Sequence, residues 1–178
     1  MKDNFFKRSV IFAAALLLLS SSAVAAHAWN SADEIARLKK EVPSLETFGE
    51  NSAVIWLRNN ESRMLADGSM ENLRATIIMM GERVPADWKT LRYPVPADGS
   101  LSIEEAAWYN TMTGMKEGSL PVNEEKLAGG AAVKVISVPD DTVGRAVVIT
   151  VKENRANRYG VDETVNMAGS LPIWEQNV

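Results

Sequence analysis

Residues 70–80 constrain the fold more than any other stretch. Leu73, Ala75, Ile77 and Met79 fall on one side of an extended chain, and Asn72, Arg74 and Thr76 fall on the other. A period of two marks a half-buried antiparallel strand. The preceding run, residues 53–65, opens apolar over 53–57 and turns polar through Arg58, Asn59, Asn60 and Glu61. Between the two runs lies Ala66-Asp67-Gly68-Ser69. Gly68 accepts a positive φ, and the Asp67 side chain can bond backbone two residues on, so this is a turn. Residues 53–80 are therefore expected to form a long hairpin.

The rest of the chain holds one helix and further strands. Residues 31–42 read as a short helix, with Ser31 as N-cap, Glu34 completing a capping box, and Ile35, Leu38 and Val42 on one face before Pro43. Residues 83–100 hold Pro85, Pro94 and Pro96 and read as connecting chain with one short strand near 91–93. A second Ala-Asp-Gly-Ser at 97–100 has flanks unlike the first, so the two are independent turns and not a duplication. Residues 101–110 are a further strand and Thr113-Gly114 a turn. Residues 116–130 are polar, end in Gly129-Gly130, and read as connection. Residues 131–138 and 145–152 are β-rich, with Val147, Ile149 and Val151 on one face of the latter. That strand is apolar on both faces and belongs in the middle of a sheet. Leu171-Pro172-Ile173-Trp174 begins a late strand expected at the open edge, where another chain could continue the sheet. The expected fold is mainly β: an antiparallel β-sandwich-like domain with one short N-terminal helix.

Residues 1–28 are set apart as a signal peptide. Lys2, Lys7 and Arg8 precede an apolar run over 10–19, and small residues follow, ending Ala26-His27-Ala28 before Trp29. Charge, a short apolar stretch and a small-x-small site are the grammar of export. The run is shorter than the ~20 residues that cross a bilayer. Cleavage leaves residues 29–178 as one domain in the periplasm or secreted, with no membrane attachment afterwards. His27 is the single histidine of the 178-residue chain, which has no cysteine, so the cleaved chain has neither. It also loses three basic side chains against one acidic, Asp3, and becomes more acidic than the net −4 of the whole. An acidic chain without a basic run does not suit nucleic acid.

The stretches 53–80, 101–114 (LSIEEAAWYNTMTG) and 138–151 (VPDDTVGRAVVITV) resemble a bacterial domain of unknown function that sits directly before a transglutaminase-like domain in exported proteins. The tail Leu171-Pro172-Ile173-Trp174-Glu175 resembles that family's late strand, which leads toward the next domain. The resemblance covers about residues 53–175. It implies a β-sandwich, an accessory role and no catalytic residues to carry over. The transglutaminase-like domain is missing here, so the chain is expected to end near a domain boundary, as a stand-alone or a truncated version.

The residue chemistry points the same way. A nucleophilic serine needs a base, most often histidine, and no S-x-x-K pair occurs. The adjacent carboxylates Glu104-Glu105 lie on a strand and point to opposite faces, while Glu124-Glu125 and Asp140-Asp141 read as solvated loop charge. Zinc ligands are missing, and no calcium loop pattern is found around Asp67, Asp98 or Asp140, so neither metal nor cofactor is expected. Aromatics remain. Trp56 goes to the core beside Val54. Trp88, in connecting chain, and one of Trp108 or Tyr109, which face opposite ways, are the candidate ligand-binding residues. The expected function is a non-enzymatic exported accessory or protein-interaction module. The alternative is a domain that binds carbohydrate or another cell-envelope polymer.

Overall fold

The computed structural model describes residues 29–48, 53–82, 84–156 and 171–178. The expected signal segment, 1–28, lies outside them. Helix α1 spans Ser31–Glu41 and a 3₁₀ turn follows at Leu45–Phe48. Strands β1 (Ala53–Met64) and β2 (Met70–Met80) pair antiparallel along their whole length. At their turn Gly68 has φ 81°, and Asp67 Oδ1 accepts from the Ser69 amide at 2.9 Å. A short helix α2 (Ala86–Lys89) leads into β3 (Thr90–Pro94), and β4 covers Gly99–Asn110. After β4 come β5 (Lys116–Ser119), β6 (Val122–Lys126), β7 (Ala132–Ser137), β8 (Arg145–Arg155) and β9 (Ile173–Asn177).

Six strands form one sheet in the order β5-β4-β8-β2-β1-β9, and three form a second in the order β3-β7-β6. Register explains how the large sheet buries both faces. Ile55, Ile78, Val147 and Trp108 lie side by side across β1, β2, β8 and β4. With Ala53, Met80, Ile149 and Val151 they face the second sheet, meeting Ile136 of β7 and the partly buried Leu91 and Tyr93 of β3. The neighbouring row, Leu57, Ile77, Val148 and Ala107, points the other way, and each is at most 1% exposed. On that side lies α1, whose Ile35 and Leu38 are fully buried and whose Ser31 hydroxyl donates to Glu105 of β4 at 2.5 Å. The architecture is helix, large sheet, small sheet.

Three sequence expectations change. Strand β2 is not half-buried: at its end both Ile77 and Ile78 are covered, because α1 and the second sheet sandwich it. Residues 116–130 hold two strands, not a connection. Their side chains are almost all exposed, so no apolar alternation announced them. The sheet is not wholly antiparallel either, since β9 runs parallel to β1. The hairpin, the short strand near 91–93, the central placement of β8 between β4 and β2, and the edge position of β9 match expectation.

Gly118 of β5 pairs with Trp108, and the indole lies directly over it: a Cβ there would come within 2.1 Å of Trp108 Cζ2. The ring is packed against the core and can yield only by disturbing it. Gly118→Ala is therefore expected to destabilise the fold by about 1–3 kcal/mol, the usual cost of overpacking, read as a lower urea midpoint by circular dichroism.

Candidate functional site

Four strand edges bound the two sheets, and they differ in chemistry. The β5 edge has only four residues, Lys116, Glu117, Gly118 and Ser119. The β6 edge carries Glu124, Glu125 and Lys126, and the β3 edge ends in Pro94. Shortness, charge and proline are the devices that keep an edge from pairing. Edge β9 reads Ile173, Trp174, Glu175, Gln176, Asn177. Ile173 packs on the core, while Trp174 is 44% exposed. Trp174 is a large apolar side chain on an edge whose outer side pairs with no strand among the described residues.

Helix α1 braces this edge. Arg37 Nη1 and Nη2 reach the two carboxylate oxygens of Glu175 at 2.9 and 3.2 Å. The same guanidinium takes Glu34 and Glu41 within the helix, at 2.9 and 2.7 Å. This fork to Arg37 holds the Glu175 carboxyl below its ordinary range. Two ordered acidic contacts pre-orient Arg37, so less side-chain freedom is lost in reaching β9. At the other end of α1, Glu105 accepts from both Ser31 and Tyr109, the latter leaning along β4 over the small Ala107. The helix thus ties the edge strand β9 and the inner strand β4 to one scaffold.

The sequence-predicted aromatics are not brought together as a ligand platform. Trp88 sits on α2, half-buried and packed on the core between the sheets. Trp108 packs on that same core from β4, over Gly118. Tyr109 turns to the opposite face and is only 8% exposed, beneath α1. Of the pair, Tyr109 is the buried one and Trp108 the more exposed, although it too packs on the core. Trp56 is buried, as expected. Of the adjacent carboxylates, Glu124 pairs with Lys134 at 2.6 Å, Glu125 with Arg92 at 2.7 Å, and Asp140 with Lys89 at 2.7 Å. Glu124 and Glu125 belong to β6 and not to a loop. Trp174 is a residue that the sequence reading does not single out. Its signal was an aromatic in a stretch whose neighbours Glu175, Gln176 and Asn177 are polar. No cluster of three or more histidine, cysteine, aspartate or glutamate side chains suited to a metal is found among the described residues. No helix among them is long and apolar enough to cross a membrane.

No family model and no curated protein matches the sequence. Among solved structures, one described as "a putative protease" from Parabacteroides distasonis matches at a TM-score of 0.50 and 13% identity, over 61% of this chain and 24% of the other. The chain thus spans about a quarter of the length of that structure, and the likeness is one of fold. A family IIIa CBD from Clostridium cellulolyticum matches at a TM-score of 0.31 and 13% identity, over 59% of this chain and 73% of the other.

Burial pushes the Tyr109 hydroxyl up to about 12, with the Glu105 contact adding to it, and burial likewise pushes Tyr93 up to about 12. Both stay protonated in the folded state after they ionise at about 10 in the unfolded chain. The unfolded state then binds fewer protons, so these two tyrosines lower stability as pH rises from about 10 towards 12 and leave it unchanged below that range. Urea melts across that range, with tyrosinate absorbance, are expected to show this decline, and Tyr109→Phe to reduce its slope by roughly half.

Proposed function

We propose that residues 29–178 form a non-enzymatic accessory module, exported by residues 1–28, that holds a protein partner along the β9 edge. The observation that carries this reading is the contrast among edges: β9 alone of the four presents a large exposed aromatic, Trp174, and it alone is braced from outside its sheet by an arginine fork. An extended partner segment laid along β9 gains main-chain hydrogen bonds, and Trp174 supplies an anchor. The absence of histidine and cysteine beyond residue 28 supports a role without nucleophilic chemistry. The resemblance of residues 53–175 to the domain preceding transglutaminase-like domains supports an accessory place beside a larger exported assembly.

The test is positional crosslinking in the producing cell. A photoreactive residue at Asn177, on β9, is compared with one at Asn123, on β6; both positions are exposed. A discrete protein adduct is expected at Asn177 and not at Asn123. Trp174→Lys is expected to abolish it while leaving the urea midpoint nearly unchanged, since the side chain is a surface one. Equal labelling at the two positions, or an adduct that survives Trp174→Lys, contradicts the reading.

A further inference from the structure

The inner face of the large sheet is apolar for only half its length. Toward the β1–β2 turn, register sets Gln176, Arg58 and Thr76 in one row across β9, β1 and β2. Arg74 then lies beside Val151, and Asn72 beside Glu153, which pairs in turn with Leu101. Glu153 is 3% exposed. A lone carboxylate so deeply placed is strongly unfavourable unless paired. It accepts from Arg74 Nη2 at 2.6 Å and from Arg155 Nε. Among the described residues, two guanidiniums on one carboxylate leave a net positive charge and more donors than acceptors, because each guanidinium has five N–H groups. Among the described residues, Arg74 Nε, Gln176 Nε2 and, beside Glu153, Asn72 Oδ1 are buried without a hydrogen-bond partner. Both arginines nevertheless reach the surface, with side chains 38% and 30% exposed. Tyr93, from the second sheet, stands in the field of Arg74 and Arg58, so this charge lies at the gap between the sheets.

We infer that Arg74 and Arg155, aligned by the buried Glu153, form a binding site for a single oxyanion, a carboxylate or phosphate group carried by a ligand that enters between the sheets. An acceptor-only group is what an excess of fixed donors recognises, and planar guanidiniums engage such groups through two parallel bonds. Glu153 is a positioning residue: it fixes both guanidiniums and is itself too buried to meet the ligand. This site is separate from the β9 edge and stands whether or not that edge binds a partner.

Inorganic phosphate and glucuronate, titrated at constant ionic strength into the 15N-labelled chain, separate the two sources of an oxyanion. Saturable shifts are expected at the amides of residues 74, 153 and 155 with at least one probe. Saturation by phosphate alone assigns a phosphate ligand, and saturation by glucuronate assigns a sugar acid. Arg74→Gln and Arg155→Gln are each expected to weaken binding about tenfold or more, whereas Arg92→Gln, whose residue pairs with Glu125 on another strand, leaves it unchanged. Because removing a partner of buried Glu153 can unfold the chain, Arg155→Lys is the second variant. It keeps the charge and loses the fork, and is expected to weaken binding severalfold with the urea midpoint near that of the parent. No saturation with either probe, or affinity unchanged in all the Arg74 and Arg155 variants, overturns the inference.

Discussion

Burial of both faces of β2 and β8 is the constraint on which the other features rest. These strands run antiparallel in the middle of the six-stranded sheet, and Ile77, Ile78, Val147 and Val148 are each at most 1% exposed. Fully burying one such side chain contributes about 1.5–3 kcal/mol, and here consecutive residues contribute from opposite faces. One face requires the second sheet and the other requires α1. Remove either cover and one of the two rows is returned to water. The positions of Trp108 and Tyr109 follow directly, since on the strand next to β8 one faces the second sheet and the other faces α1.

Much of this was legible in the sequence, and what was missed has physical causes. The hairpin was legible because Leu73, Ala75 and Ile77 alternate with polar residues and Asp67-Gly68 marks the turn. Strand β8 was legible because Ala146 to Val151 is apolar at every position but Thr150. Strands β5 and β6 were hidden because Lys116, Glu117, Glu124 and Glu125 bury nothing: their backbone pairing with β4 and β7, not their side chains, makes them strands. The parallel approach of β9 to β1 was hidden because direction is not written in a five-residue stretch. Of the candidate site, the edge was read and its aromatic was not, since exposure of Trp174 depends on where β9 docks.

Charge completes what apolar burial leaves open. Arg37 joins the N-terminal helix to the C-terminal strand across 138 positions of sequence, so the two ends of the described fold are stabilised together. Exposed and half-exposed pairs of this sort contribute little each, about 0–1 kcal/mol. Their role is placement: the Arg37 fork holds β9 in register on β1 without covering its outer side. Glu153 works on the inner face in a comparable way, holding Arg74 and Arg155 where the apolar rows stop.

The central claim is that β2 and β8 form the stable middle of the sheet and that β9 is a separately releasable edge held by α1. Native-state hydrogen exchange on the parent and on Arg37→Ala tests it directly. Amides of β2 and β8 should exchange only through global unfolding, those of β9 through a smaller opening, and Arg37→Ala should lower protection in β9 while leaving β8 unchanged relative to global stability. Exchange of β9 with the same free energy as β8 in both chains would contradict the account.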